Sequence, residues 1–294
     1  MTKAIELAEL RDIAVSFCPE LEKIIRHESR ATSSTWESGI ETGKSIELLS
    51  LCALTYSLRS TGHEVTLPRL YDTNPDLFYL RNVLPRHHGA QPGHDAVTHD
   101  YIGLKERFLA AMTPKMQIRD LNGREFLIYR EGHPVHLIAW LAGGKTEYRD
   151  RPDILIAAGA CDLDPAGSGE LGFKYSHSFG TVSGNLRIRN DIDVPLISVA
   201  VEGETDVPIR TIIECSVGKG SRSAKQQLRR YMELYSNPER PKSVLVNGKA
   251  GSCSAYDFEL SIDISSGNAE RLHQQLSQGF KAVAAGIASS SIGA

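Results

Sequence analysis

The chain has 294 residues, 41% of them hydrophobic and 23% charged, with a formal net charge of -3. This is the balance of a soluble globular chain long enough to bury a normal core. It excludes a nucleic-acid partner announced by global charge, so any basic surface must be local.

The first element is helical. Ile5, Leu7, Leu10, Ile13, Ala14 and Phe17 make a helical stripe within residues 3–30, broken near Pro19. The opening "MTKAIELAELRDIAVSF" lacks the basic start and continuous apolar run of a signal peptide. No stretch reaches the roughly 18 apolar residues of a membrane span. The polar run "ATSSTWESG" reads as a loop. A buried helix follows, carrying Ile46, Leu49, Ala53, Tyr56 and Leu58 and stopped by Gly62. "HEVTL" reads as a strand.

Residues 71–100 read as irregular and histidine-rich, and 101–112 as a short helix. "KMQIRDLNGREFLIYREG" reads as a hairpin, with Asn122-Gly123 as its turn. "HPVHLIAWLAGG" suggests a further strand and "PDILIAAG" a firmer one. Residues 161–195, rich in Gly, Ser and Asp, are expected to be loops, at most with a short hairpin. Strands are expected at "PLISVAV", "PIRTIIECSV" and "KSVLVNG", with a helix over 222–236. "YDFELSIDI" alternates like a strand near an edge, and "NAERLHQQLSQGFKAVAAGIA" is an amphipathic helix, followed by a frayed "SSSIGA". The order implies an α/β (α+β) fold with a mixed central sheet flanked by helices. The expected organisation is an N-terminal helical extension, residues 1–40. A domain over 41–294 follows, with a histidine-rich insertion at about 71–112.

Four pieces between Lys44 and Gly248 resemble, in order, the PD-(D/E)XK nuclease superfamily with its restriction-endonuclease-like core. They are Glu47 on the opening helix, Asp153 in "RPDILIA", Glu214 in "IIECSV", and Gln227 with Tyr231 in "QLRRY". Phosphodiester cleavage needs an activated water and stabilised negative charge. Two carboxylates can hold Mg²⁺ or Mn²⁺, which lowers the pKa of bound water and neutralises the phosphate. The resemblance implies Asp153 and Glu214 as metal ligands, joined by the Cys215 carbonyl. It gives Glu47 a second metal site or an orienting role.

The family lysine falls at Ser216, two positions after Glu214 and on the same strand face. Lys219 in the "GKG" turn and Lys225 on the next helix are the replacements. Lys225 lies about 200° from Gln227 around that helix, which favours Lys219. Arg222, Gln227, Arg230 and Tyr231 on the helix, with Arg151 before Asp153, form the expected nucleic-acid face. The helix N-terminus adds free N–H groups for a phosphate.

The implied function is a Mg²⁺-dependent endonuclease acting on DNA, with RNA as the other substrate. It would be cytoplasmic, without a membrane partner, a homodimer, and of the restriction or prokaryotic defence type. Ser216 motivates the alternative of a nuclease-fold binding module that does not cleave; an unrelated α/β hydrolytic enzyme is the third reading.

Other motifs fit less well. His87, His88, His94 and His99 match no zinc spacing. The five cysteines, Cys18, Cys52, Cys161, Cys215 and Cys253, form no CxxC pair, which argues against a disulfide framework. Cys215 is expected on the core side of its strand, inert rather than nucleophilic. "GKGSRSAK" is not a P-loop.

Overall fold

The computed structural model of the chain describes residues 5–27, 43–79, 109–134, 152–164, 170–177, 180–187, 196–203, 207–216, 221–235, 240–248, 256–263 and 267–289. The expectations for the 31–39 loop, the four clustered histidines, the strand after Pro134, Arg151, the "GKG" turn with Lys219 and the final residues lie outside these.

The hairpin forms as its turn chemistry dictates. β2 (Met116–Arg119) pairs with β3 (Glu125–Arg130), Arg119 opposite Glu125. Between them Gly123 takes φ +77°, a conformation that glycine adopts without strain. β1 (Glu64–Thr66) adds to the outer edge of β2. β4 (Ile154–Ala158) pairs antiparallel with β3. β9 (Ile209–Ser216) pairs antiparallel with β4, and β10 (Lys242–Asn247) and β11 (Phe258–Ser261) continue parallel to it. The central sheet is therefore a seven-stranded mixed sheet, β1-β2-β3-β4-β9-β10-β11.

Residues 161–195 depart from expectation. β5 (Ala160–Asp164), β6 (Glu170–His177), β7 (Gly180–Arg187) and β8 (Leu196–Gly203) form a second, four-stranded antiparallel sheet. Its Gly and Ser content suggested loops. Leu171, Phe173 and Tyr175 nonetheless alternate along β6 and are buried with Val182 against the main sheet. The alternation outweighs the composition. "PLISVAV" is a strand of this second sheet. The chain changes sheets at Gly159, where φ is +125° and a Cβ would collide with the Ser176 carbonyl.

Helices cover both faces of the central sheet. One face is packed by α1 (Leu7–Phe17), with the short α2 (Glu22–Ile25) after it, by α3 (Gly43–Ser60) and, defined next, by the C-terminal helix. α3 ends at Gly62, φ +91°, the stop that the sequence marked. Within 71–100, expected to be irregular, α4 (Leu70–Thr73) and α5 (Asp76–Tyr79) are helical turns. Their Tyr71, Leu77, Phe78 and Tyr79 are large apolar side chains that reach the core. On the opposite face α6 (Ser221–Leu234) connects β9 to β10, with Ala224, Leu228, Tyr231 and Tyr235 as its buried stripe. α7 (Ala269–Ser289) is the C-terminal helix and packs on α3, α1 and β11. No helix among the described residues is long and apolar enough to cross a membrane.

Candidate active site

Register brings the two predicted acids together. β4 and β9 run with Ile154 opposite Ile213, so one step further sets Asp153 opposite Glu214. Their carboxyls are hydrogen-bonded to each other, and Asp153 Oδ2 also accepts the Cys215 backbone N–H at 2.8 Å. Arg130 pairs with Ile154, so on the other side of β4 the next step sets Glu131 opposite Asp153. The Glu131 N–H donates to the Asp153 carbonyl at 3.2 Å. A row of three acids thus crosses three neighbouring strands at one end of the sheet.

Glu47 reaches the same end from α3. The Arg130 guanidinium donates through Nη2 to Glu47 Oε2 at 2.8 Å, and both side chains are buried. Strand alternation explains this pairing. Phe126 and Ile128 face α3 and its neighbours, and Arg130 continues that set. Glu131 then takes φ +59°, uncommon for a residue with a side chain, and Gly132 follows at +93°. The chain turns there, and the Glu131 side chain stays buried.

The electrostatics follow from crowding acids in a buried place. Burial, then the negative charges of Glu47 and Glu131, push the Asp153 carboxyl up to about 8, although the hydrogen bonds from Cys215 and Glu214 pull the other way. Burial and Asp153 push Glu214 well above the usual carboxylate range. The pair therefore titrates as a unit and retains a shared proton at neutral pH. Burial and the nearby carboxyls also push the Cys215 thiol well up, and its Sγ lies 3.7 Å from Ser50 Oγ. That is the environment of an inert thiol.

The remaining expected site residues are more scattered. Ser216 is buried, 8% exposed, beside Asn247 of β10. Lys225 is half-buried on α6, while Gln227 and Arg230 are exposed. Tyr231, expected to share a nucleic-acid face with Gln227, is only 2% exposed and packs near Tyr235 in the core. It lies on the buried stripe of a strongly amphipathic helix, so it anchors α6 to the sheet. Arg222 lies in the first turn of α6.

Comparison of the chain with protein-family models, with curated proteins and with solved structures gives no match. Among the described residues, no three His, Cys, Asp or Glu side chains stand ready as a preformed metal cluster. Asp153 and Glu214 are engaged with each other, and Glu47 with Arg130. The donor set nonetheless suits a hard divalent cation: two carboxyls set side by side by the β4–β9 register, whose shared proton a cation can displace.

Arg130 and Glu131 were not singled out in the sequence. A signal for both existed. Counting the hairpin outward from Asn122-Gly123 and pairing "FLIYRE" with "DILIA" places them beside Asp153.

Proposed function

We propose that the chain is a divalent-metal-dependent phosphodiesterase, an endonuclease acting on DNA, built on a restriction-endonuclease-like core. One observation carries the reading. Asp153 and Glu214, 61 positions apart, share a hydrogen bond at the ends of neighbouring antiparallel strands, and the strand–helix–strand unit β9–α6–β10 follows directly. The antiparallel run β3–β4–β9 continuing into parallel β10 and β11 supports the core assignment.

Asp153 and Glu214 would hold Mg²⁺ or Mn²⁺, with the Cys215 carbonyl as a further oxygen. The bound metal supplies an activated water and neutralises charge on the phosphate. The chain supplies the rest. The Cys215 N–H fixes Asp153 Oδ2 and so orients the carboxyl, and a cation would replace the proton it shares with Glu214. Glu47 and Glu131 concentrate negative charge that favours a cation at the pair. The N-terminus of α6, with Arg222, receives a backbone phosphate. Lys219 or Lys225 supplies the cation that Ser216 cannot.

The test is cleavage of duplex and single-stranded DNA and of RNA with Mg²⁺ or Mn²⁺. The unmodified protein should cut DNA, chelation should stop it, and Asp153→Ala and Glu214→Ala should each lower the rate by at least about 1,000-fold. Activity that survives both substitutions would sink the assignment. Ser216 supports a second reading, a nuclease-fold module that binds DNA without cutting. Tight DNA binding with no cleavage under either metal would favour it.

A further inference from the structure

The least explained group near the site is Arg130. Its side chain is 2% exposed, and among the described residues only Nη2 has a partner, Glu47. Its Nε and Nη1 are buried with no hydrogen-bond partner among the described residues. A guanidinium has five donors, and leaving some unpaired in the interior is costly. An arginine kept for stability alone would satisfy its fork, usually with a bidentate carboxylate or several carbonyls. This one makes a single well-formed bond, and it makes it to the one acid that reaches the site from α3.

The surroundings sharpen the point. Arg130 stands opposite Ile154, next to Asp153, and is followed by Glu131, whose N–H donates to the Asp153 carbonyl at 3.2 Å. The Arg130–Glu47 pair therefore adjoins the acids, and the Glu47 charge helps raise both Asp153 and Glu214. Arg130 also lies two residues from Ile128, whose carbonyl accepts the Lys115 N–H at 2.7 Å. Lys115 Nζ is held instead by the Tyr71 hydroxyl at 3.3 Å and the Leu77 carbonyl at 3.2 Å. The buried Lys115 amine is thus held by neutral groups, and the Glu47 carboxylate is paired by Arg130.

We propose that Arg130 is a positioning residue for the divalent-metal site: it locks the Glu47 carboxyl toward the Asp153–Glu214 pair, so that Glu47 can hold a metal-bound water or a second ion. The inference rests on the metal-site reading above. It adds a residue to that site which sequence resemblance does not assign. Partners that orient metal-site groups in this way are worth about 10- to 100-fold in metal affinity.

The test is Mn²⁺ binding to the full-length, metal-free protein, followed by calorimetry and by the electron paramagnetic resonance of free Mn²⁺. The variants are Glu47→Gln, Arg130→Met, Arg130→Lys and the double variant Arg130→Met with Glu47→Gln. Arg130→Met and Glu47→Gln should each weaken Mn²⁺ by about 10-fold. The double variant should be no weaker than Glu47→Gln alone, because Arg130 acts through Glu47. Arg130→Lys should recover part of the loss.

Arg130→Met leaves a buried carboxyl unpaired and can fail to fold. Arg130→Lys and the neutral double variant then carry the comparison, each checked by its melting temperature. Losses that multiply in the double variant would overturn the proposal, as would unchanged binding in a folded Arg130 variant. Tighter Mn²⁺ binding without Arg130 would overturn it too, showing a merely repelling charge. If the unmodified protein takes up no Mn²⁺, the metal-site reading falls and this proposal with it. If the unmodified protein binds and only the coupling is missing, the metal-site reading stands.

Discussion

Two aspartates near opposite ends of β3, Asp120 buried and Asp153 half-buried, have opposite fates. Asp120 closes the β2–β3 turn. Its Oδ1 accepts the N–H groups of Asn122 and Arg124 at 2.9 and 2.8 Å, and its Oδ2 accepts Arg124 Nε at 2.8 Å. Burial raises its pKa, yet the Arg124 and Asn122 hydrogen bonds prevail and hold it below the usual value. Among the described residues Asp153 accepts one backbone N–H and otherwise meets the acids Glu47, Glu131 and Glu214, and it is pushed up to about 8. Desolvation raises both. What differs is whether the partners prefer the charged form, and that difference separates a carboxyl that fastens a turn from one kept available for a cation.

The largest effect that should expose this difference is the pH dependence of stability. The folded state keeps a proton on the Asp153–Glu214 pair at pH values where the unfolded chain has lost it. A raised folded pKa therefore makes the metal-free protein less stable as pH rises from about 5 toward about 8. One retained proton gives a slope of about 1.4 kcal/mol per pH unit. Urea unfolding at a series of pH values measures it. Asp153→Asn should flatten the slope and leave the protein more stable at pH 8, and Mg²⁺ should also reduce it by replacing the proton. A flat profile in the unmodified protein would remove the distinction between the two aspartates.

Asp120→Ala should act the other way. It should cost about 2 kcal/mol at pH 7, since two backbone donors and one guanidinium lose their acceptor. The loss should shrink as pH falls below the ordinary carboxylate range, because a lowered folded pKa contributes stability only above it. Mn²⁺ affinity should not change. Equal effects of Asp120→Ala and Asp153→Asn on metal binding would erase the contrast.

The hairpin was legible in the sequence because Asn122-Gly123 fixes the turn locally; the Asp120 side chain that closes it was not singled out. Strands β4, β9 and β10 were legible from short apolar runs, and Asp153 and Glu214 from their position on them. The second sheet was not, because its Gly and Ser content masked the Leu171-Phe173-Tyr175 alternation. Tyr231 was placed by a family pattern on a ligand face, but its spacing with Ala224, Leu228 and Tyr235 marks the core stripe. Glu131 and Arg130 needed two strand registers at once, and those depend on pairing between segments more than 20 positions apart.

Lys115 extends the comparison to a cation. Burial, with Arg130 nearby, holds its pKa well below the usual value, and it stacks on Tyr71 at 5.1 Å and Phe78 at 5.6 Å. Its partners accept a hydrogen bond but carry no opposing charge. Lys115→Met keeps the length and removes the ionisable group, so it should stabilise the protein by about 1 kcal/mol at pH 7. The gain should fade at higher pH, because a neutral lysine no longer costs deprotonation. Destabilisation at every pH would mean that its two hydrogen bonds outweigh its burial.

The smallest effect separates backbone from side chain at Asp120. Arg124 is about one-third exposed and contributes one side-chain bond, beside two backbone N–H bonds that its substitution leaves in place. Arg124→Lys should therefore cost only about 0.5 kcal/mol, the scale of a partly exposed ion pair. Thermal melts at low and high salt would measure it, with the difference narrowing in salt. A cost as large as that of Asp120→Ala would make the guanidinium the decisive partner. The two aspartates would then differ by the presence of a counter-charge alone, and Asp153 would be distinguished by Arg130 being turned away to Glu47.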